Sequence, residues 1–399
     1  MKKISPALII LCILIPRLDA LGGGGEAVKI SFIGDIMMHN AVKQCALANN
    51  RLKKNSSMNN GGFDYLFERI RPCFESSDMV IGNMEFPVAA PFVGKRLIFN
   101  CFPEVMPAMK KMGINLLTIA NNHMLDQGAS GLVETMRYLR NYGIDYIGVK
   151  GTETAARSGI IVQMNGIRIG FIAYTGVSNY GFPLNPRGYF INNLYDKEVV
   201  LEDIRAIRGW VDYLVMIVHR GMEYKYFPQK IDTILLREYL EEGVDLVVGH
   251  HPHVLQYVEK VSTRDGRETF IFYSLGNFIS NQTFSYELPD GGRYTTRESI
   301  ILNLYLSRPV KQILQRFEIV PIWTVNERAV REGRQFKNIQ TVALPDRIRE
   351  LIGELVIGGQ REEILREIRY LNSRMAVMKR ILFLRDSFEE IQVITEPVR

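Results

Sequence analysis

Three imidazoles fall within four residues of the sequence, directly after a short apolar run. His250, His251 and His253 follow residues 246–248, whose composition is typical of a buried strand. Imidazole is a preferred ligand of zinc, manganese and iron, and three such rings are costly to bury without partners. Because Pro252 stiffens the segment, we expect His251 and His253 to approach one metal from the same side of an extended chain. An exposed histidine-rich loop is the alternative.

A fourth histidine lies at the end of another apolar run, residues 213–218. His219 is followed closely by Arg220 and Glu223. A histidine at a strand end can bind a metal or transfer protons, and a neighbouring carboxylate favours both roles. We therefore include His219 and Glu223 in a metal-binding or catalytic site, with Arg220 as a contact for substrate. A histidine satisfied within the core is the alternative.

The segment of residues 120–128 concentrates amides and an imidazole after an apolar strand. These polar groups need partners when they are buried. Asn122 can offer a neutral oxygen to a metal, His123 can donate a proton, and Asp126 can orient the His123 ring. A polar turn with a helix cap is the alternative interpretation.

Three further strand ends carry polar residues that suit the same site. Asp35 follows Gly34, which we expect to permit a sharp turn, and Asn83 and Glu85 alternate toward one side of the next strand. Asn277 follows a later strand and can contact substrate, although a plain turn explains it nearly as well. Each of these signals is weak alone. Their common position matters because ligands bind outside the carboxyl ends of strands in α/β sheets.

The elements that position these residues alternate along the chain. Apolar runs predict strands at residues 28–33, 79–81, 116–119, 169–173, 213–218, 246–248, 270–273 and 300–306. Helical periodicity is present at residues 63–74, 105–112, 132–139, 199–207 and 234–240. Gly113, Gly143 and Gly243 each stand where a helix should end. This alternation predicts an α/β fold with a largely parallel sheet.

The later part of the chain departs from this alternation. Residues 270–323 hold strands with little helix between them, which predicts a second sheet or an antiparallel edge on the first. Residues 28–325 are predicted to form the main domain. Residues 326–399 are predicted to form a helical C-terminal extension, since residues 350–388 have mixed charge at helical spacing.

The N-terminus has the features of an export signal. Lys2 and Lys3 precede an apolar run at residues 7–15, which is shorter than the ~20 residues of a membrane-spanning helix. We predict that residues 1–27 are a signal peptide or a short membrane anchor and that the protein is exported to the cell envelope, in a periplasmic or extracytoplasmic position. A buried first strand is the alternative.

Composition and cysteine content exclude several other classes of protein. The chain has 399 residues and a formal net charge of +6, without a long basic block or interleaved aromatic and basic residues, so we expect no nucleic-acid partner. Cys45, Cys73 and Cys101 cannot all pair with one another. One disulfide with a free thiol and three buried thiols are both open.

Taken in order, six segments closely resemble the capsule-synthesis CapA family. Those proteins are associated with poly-γ-glutamate capsule formation and belong to the calcineurin-like metallophosphoesterase superfamily. The segments are Gly34-Asp35, Asn83-Met84-Glu85, Ala120-Asn121-Asn122-His123 with Asp126, His219-Arg220-Gly221 with Glu223, Gly249-His250-His251-Pro252-His253 and Ser274-Leu275-Gly276-Asn277-Phe278. The resemblance implies an α/β fold built as a two-sheet β-sandwich flanked by helices, with a metal site at one end.

The resemblance also implies roles for Asp35, Glu85, Asn122, His123, His219, His251 and His253. The metal ligands are Asp35, Glu85, Asn122, His219, His251 and His253, with Glu85 as the bridging carboxylate. His123 is the acid that protonates the leaving group, with Asp126 and Glu223 beside it. Asn83, Arg220, His250 and Asn277 are expected to contact substrate. Two departures, Met37 in place of a D-x-H histidine and Glu85 in place of an aspartate, leave one or two metal ions open.

Two functions follow from these features. The first is a phosphoesterase-type hydrolase that uses divalent Mn, Fe or Zn and acts on a phosphate-containing substrate in capsule polymer synthesis. The second is a non-catalytic accessory protein that binds or guides an anionic envelope polymer. In both, the expected partners are the polymer and the membrane-bound capsule synthesis machinery.

Overall fold

The computed structural model of the chain describes nine stretches of sequence. They are residues 10–14, 27–52, 60–151, 158–182, 188–308, 313–331, 334–357, 361–385 and 388–397. Their strands are β1 Ile10–Leu14, β2 Val28–Ile36, β3 Met79–Met84, β4 Ile114–Thr118, β5 Asp145–Ile147, β6 Val149–Lys150, β7 Gly159–Met164, β8 Ile167–Thr175, β9 Phe190–Ile191, β10 Tyr213–His219, β11 Leu246–His250, β12 Val258–Ser262, β13 Glu268–Phe272, β14 Asn277–Ile279, β15 Ser285–Glu287, β16 Arg293–Thr295, β17 Glu298–Ser307, β18 Leu314–Arg331, β19 Arg334–Ala343 and β20 Ile391–Val393.

The helices of these stretches lie mainly between parallel strands and near the C-terminus. They are α1 Asn40–Leu52, α2 Asp64–Phe67, α3 Val105–Met112, α4 Gly128–Asn141, α5 Lys197–Arg208, α6 Lys230–Glu241, α7 Leu344–Ile357 and α8 Arg361–Leu382. Two short 3₁₀ turns, Asn60–Gly62 and Arg71–Phe74, flank α2.

Two large sheets form the body of the protein. The first has the strand order β1-β7-β8-β10-β11-β13-β12, and its central strands β8, β10, β11 and β13 are parallel. The second has the order β19-β18-β17-β2-β3-β4-β5, with β14 beside β2 and β20 beside β18. Its strands β2 to β5 are parallel, whereas β17 runs antiparallel to β2. The prediction of a parallel α/β core with an antiparallel edge is confirmed.

The side chains of β10 show how the two sheets pack. Val215 and Ile217 belong to the hydrophobic core that also includes Ile30 of β2, so one face of β10 points toward the second sheet. Leu214 and Met216 alternate with them and belong to a separate core with residues of α5 and α6. The first sheet is therefore buried on both faces, and the predicted two-sheet fold flanked by helices is confirmed.

The eight predicted strands are all present, and the helices agree with one exception. The predicted helix at residues 63–74 is interrupted: α2 ends at Phe67, and a 3₁₀ turn contains Pro72. Proline lacks an N–H and restricts the residue before it, so a continuous α-helix cannot run through this point. Gly113, Gly143 and Gly243 have φ of 114°, 65° and 127°, as expected for residues that end helices.

The C-terminal part contains more strand than expected. Residues 326–331 continue β18, and β19 pairs with it in antiparallel register, so the prediction of helix is wrong for residues 326–331 and 334–343. These residues complete the hydrogen bonding of a sheet edge, which local periodicity does not reveal. The helical spacing at residues 350–388 corresponds to α7 and α8. The division of the chain into domains stays a prediction.

The predicted export signal lies largely outside the described residues. Within it, β1 pairs in parallel with β7 at the edge of the first sheet. No helix in the described stretches has the length and apolar character needed to cross a bilayer. Cys45, Cys73 and Cys101 are all buried, which agrees with the alternative of three buried thiols.

Candidate metal centre

The predicted site residues meet where the carboxyl ends of four strands from both sheets come together. Asp35 on β2 is paired in register with Asn83 on β3. His219 at the end of β10 is paired with His250 at the end of β11. Parallel strands of two facing sheets thus deliver carboxylate, amide and imidazole groups to one edge, as expected for α/β proteins.

Glycines allow the backbones around the site to approach closely. A Cβ atom at Gly34 would stand 2.0 Å from the carbonyl oxygen of Gly276, and one at Gly249 would stand 2.1 Å from that of Tyr273. The Asp35 N–H donates to the same Gly276 oxygen at 3.0 Å. The expected sharp turn at Gly34 is wrong, because β2 continues through this residue. The close approach of the Gly276 backbone leaves no room for a side chain at this position.

Asp35 is the acceptor around which the histidine loop is arranged. It is fully buried, and Asn83 Nδ2 donates to its Oδ1 at 2.8 Å. Nδ1 of His250 lies 3.1 Å from Oδ1, and Nδ1 of His253 lies 3.1 Å from Oδ2. Burial alone would raise the pKa of Asp35, but the hydrogen bonds from His250 and His253 hold that pKa well below its usual range. Asp35 is therefore a carboxylate.

Glu85 is buried without a hydrogen-bond partner. Neither Oε1 nor Oε2 has one, although the side chain is completely inaccessible to solvent. Oε1 lies 3.8 Å from Nε2 of His219 and 3.8 Å from Nε2 of His253. Burial, together with the charge of Asp35, raises the pKa of Glu85 well above its usual range. A buried carboxyl group without partners is costly, so its position requires an explanation.

The loop after β11 brings His251 and His253 to the site through a tight turn. Their φ angles are 95° and 59°, in the left-handed region that residues with side chains rarely adopt. The predicted extended conformation of this segment is therefore wrong. The turn lets the His251 N–H donate to Asp35 Oδ2 at 3.3 Å, while both imidazoles still reach Glu85. Strained backbone of this kind is concentrated at functional sites.

The donor groups are arranged as ligands of a divalent metal are. Side-chain donor atoms of Asp35, Glu85 and His219 lie within 4.8 Å of one another, and so do those of Glu85, His251 and His253. Metal–ligand bonds to nitrogen and oxygen are about 2.0–2.2 Å long. Two donor atoms bound to one ion are therefore separated by up to about twice that length, which is close to the separations found here. Burial, together with neighbouring His253, lowers the pKa of His251 to about 3, which leaves its imidazole neutral.

Unpartnered atoms agree with this interpretation. Both Glu85 oxygens and Nδ1 of His251 lack hydrogen-bond partners while inaccessible to solvent. Carboxylate and neutral imidazole are the ligands that Mn, Fe and Zn accept. The residues present therefore fit a divalent metal, with Glu85 common to both donor groups.

Asn122 and Asn121 tie the segment after β4 to the centre. Asn122 Oδ1 lies 2.8 Å from Nε2 of His219, as expected for an amide that shares a site with this imidazole. Asn121 donates to Asn83 Oδ1 at 3.1 Å and to the Met84 carbonyl at 2.8 Å. The sequence interpretation gave Asn121 no role. Its adjacency to Asn122 was the only signal.

His123 and Asp126 form the predicted pair. Nδ1 of His123 lies 2.8 Å from Oδ2 of Asp126, and both side chains are buried. Phe99 packs against the imidazole with ring centroids 4.2 Å apart, and its backbone N–H donates to Asp126. The Tyr180 hydroxyl donates to Asp126 Oδ1 at 3.2 Å. Phe99 and Tyr180 were missed because they lie far along the chain in loops.

The four residues expected to contact substrate do not form one group in the structure. Asn83 and His250 both contact Asp35, as described above. Arg220 is completely buried, and its Nη1 donates to Asp232 Oδ2 at 2.6 Å. Asn277 donates to the Thr296 carbonyl at 3.1 Å, and its Oδ1 is buried without a partner.

Glu223, His39 and Met37 lie around the centre. Glu223 is exposed to solvent. His39 is half-buried, and burial together with His253 lowers its pKa to about 3. Met37 stands at the position of the missing D-x-H histidine and is almost fully buried, so this position supplies no imidazole. The roles assigned to individual site residues stay predictions.

Fold and site together define a two-sheet α/β protein with a carboxylate and histidine centre at the edge where the strands end. The family described as bacterial capsule synthesis protein PGA_cap matches residues 29–282. The PGA biosynthesis protein CapA of Bacillus subtilis is 30% identical over 302 residues, which cover 74% of this chain and 72% of that protein. The capsule biosynthesis protein CapA of Bacillus anthracis is 28% identical, covering 74% and 67%. The chain belongs to the bacterial capsule synthesis family, and the predicted resemblance is confirmed.

Solved structures show more distant similarity. A novel phosphatase from Mycoplasma pneumoniae has a TM-score of 0.41 and 14% identity, covering 74% of this chain and 94% of that one. The NAD nucleotidase of Haemophilus influenzae has a TM-score of 0.42 and 12% identity, covering 93% and 65%.

Proposed function

We propose that this protein acts in capsule polymer synthesis at the bacterial cell envelope, as a metal-dependent hydrolase of phosphate esters. The observation that carries the proposal is Glu85, which is buried between His219 and His253 without a partner for either oxygen. A buried carboxyl group without hydrogen-bond partners destabilises the fold, and a cation bound in front of it would offset that cost. Envelope localisation and export are part of the proposal and rest on family membership and the basic, apolar N-terminus.

The metal would be held by the two donor groups described above, with Asn122 beside them. When bound, a divalent cation supplies positive charge that polarises a phosphoryl oxygen and acidifies water. Asp35 carries the charge that the cation neutralises. Asn83 and His250 fix the Asp35 carboxylate through hydrogen bonds to its Oδ1, so the ligand needs little reorganisation.

In this proposal His123 completes the reaction by proton transfer. Asp126 occupies its Nδ1, which orients the ring and leaves Nε2 to donate. In hydrolysis, the oxygen of water bonds to phosphorus and the P–O bond to the leaving alcohol breaks. The proton on Nε2 passes to the departing oxygen, and the proton lost by water restores His123, so the products are an alcohol and inorganic phosphate.

Hydrolysis of a simple phosphate ester tests this function directly. We expect the metal-loaded protein to release inorganic phosphate from ethyl phosphate, and His123→Ala to lower kcat by about 10²–10⁴-fold while retaining metal. Equal rates in the two proteins would exclude His123 as the proton donor, and no release of phosphate by the metal-loaded protein would overturn the hydrolase assignment.

A non-catalytic role is favoured by one observation. Met37 is buried where an imidazole is expected, so the centre has fewer nitrogen ligands than the resemblance implies. In this role the protein binds or guides an anionic polymer, and binding of poly-γ-glutamate would survive His251→Ala. Loss of polymer binding in that variant would count against the accessory role.

A further inference from the structure

A cavity of about 260 Å³ lies next to the His123–Asp126 pair and has no part in the function described so far. It is lined chiefly by Leu125, Ala129, Leu132, Tyr180, Tyr189 and Ile191. Asp126 is the only charged residue among the described residues that line it. The cavity is therefore an apolar chamber with one acidic side chain, built from the start of α4 and the loops that face it.

Asp126 belongs to both the cavity and the predicted proton donor. Its Oδ2 accepts from His123 and from the Phe99 N–H, and its Oδ1 accepts from the Tyr180 hydroxyl. The carboxylate is thus already satisfied, and it has no need of a ligand donor. Its negative charge disfavours phosphate and carboxylate groups in the cavity, so the space suits an uncharged apolar group.

The cavity communicates with solvent. The Tyr180 side chain at its edge is 46% exposed, whereas Leu132 and Tyr189 in its wall are buried. Apolar walls that stay open to water are costly, and pockets of this character are typical of binding sites. An apolar cavity of about 150 Å³ accommodates benzene, so this one has room for a single ring with substituents or a short alkyl chain.

We propose that this cavity binds an uncharged apolar portion of the leaving alcohol of the substrate. The inference rests on the proposed function, because it requires the phosphate group at the metal centre and the departing oxygen at His123. Asp126 bonds Nδ1 of His123 and also lines the chamber, so the group attached to the departing oxygen would run past the imidazole and alongside Asp126 into the chamber. The substrate class is a phosphate ester of an apolar alcohol, and the anionic polymer itself is excluded from this subsite.

A series of alkyl phosphates tests the subsite without changing the reactivity of the leaving group appreciably. We expect KM of the metal-loaded protein to fall from ethyl to butyl to hexyl phosphate by roughly threefold per added methylene, as burial of each group predicts. Ala129→Phe fills the chamber and should abolish this dependence while ethyl phosphate is still hydrolysed. Ala129→Leu, a smaller change that preserves folding more readily, should weaken it.

Ser130→Phe is the matched control because Ser130 is exposed on the same turn of α4 and does not line the cavity. It should keep the chain-length dependence of the natural protein. If ethyl and hexyl phosphate are hydrolysed with the same KM in the natural protein, the subsite is wrong and the hydrolase function stands. If no ester is hydrolysed, the hydrolase function is wrong. Binding of 1-hexanol, measured by NMR, then tests whether the cavity is an apolar binding site independently of hydrolysis. Hexanol binding lost in Ala129→Phe supports the apolar site, and no binding in the natural protein overturns it.

Discussion

Oε1 of Glu85 lies 3.8 Å from Nε2 of His253, although the two residues follow strands of different sheets. This contact joins β3 of the nine-stranded sheet to the loop after β11 of the seven-stranded sheet. Neither Glu85 oxygen has a hydrogen-bond partner, and a cation bound in front of the carboxyl group would satisfy both. The candidate metal centre therefore lies at the junction between the two sheets.

Replacing Glu85 by glutamine should remove metal while preserving the fold. Glutamine has nearly the same shape but lacks the charge that a cation requires, so we expect affinity for Mn²⁺ to fall at least about tenfold. Isothermal titration measures the affinity, and circular dichroism measures folding. Glu287→Gln is the matched control because Glu287 is exposed on β15. Unchanged affinity in Glu85→Gln would exclude Glu85 as a ligand.

Metal binding should be linked to pH through the same side chain. Burial and the charge of neighbouring Asp35 raise the pKa of Glu85 well above its usual range, so Glu85 in the metal-free protein keeps its proton to a higher pH than an exposed glutamate does. A ligand must lose its proton to bind metal, and affinity should therefore rise with pH. Calorimetry in buffers with different ionisation enthalpies should detect release of about one proton per bound ion. Heats that do not depend on the buffer would contradict this.

Asp126→Asn should impair hydrolysis without affecting metal binding. Asparagine has nearly the same shape as Asp126 but lacks the negative charge that stabilises a His123 ring carrying protons on both Nδ1 and Nε2. We expect kcat for ethyl phosphate to fall by about tenfold to a hundredfold, with normal metal content. An unchanged kcat would mean that Asp126 does not orient His123 during the reaction.

The C-terminal helix should contribute strongly to stability through one buried ion pair. Arg374 of α8 contacts Glu298 of β17, and both side chains are buried. Arg374→Ala leaves Glu298 without its partner and should lower the free energy of unfolding by about 3–5 kcal/mol. Arg380 lies on the same helix and forms an exposed ion pair with Asp290. Arg380→Ala should therefore lower the free energy of unfolding by only about 0–1 kcal/mol. Equal losses in urea denaturation would show that α8 does not dock through Arg374.

Much of the fold could be predicted because strand and helix periodicities are local. The runs that precede His219 and His250 are continuous apolar segments, as expected for strands buried on both faces. Their position at the ends of predicted strands was then sufficient to predict that these residues lie close together. Strand β19 was mistaken for helix because its identity depends on pairing with β18, a contact that no local pattern records.

The finer structure of the site could not be predicted for similar reasons. The turn at His251 and His253 is stabilised by Asp35, which is distant in sequence. Phe99 and Tyr180 reach Asp126 from two separate loops, and neither has a distinctive neighbouring motif. Arg220 was expected to contact substrate, and its hydrogen bond to Asp232 on α6 becomes apparent only in the fold.

The most direct test is the metal content of the purified protein after exposure to Mn, Fe and Zn, measured by mass spectrometry. We predict that the natural chain and His39→Ala retain one or two equivalents, since His39 lies outside both donor groups. The double variant His251→Ala/His253→Ala should retain none and remain folded. Equal metal content in the natural chain and the double variant, or none in either, would contradict the assignment of this junction as a metal centre.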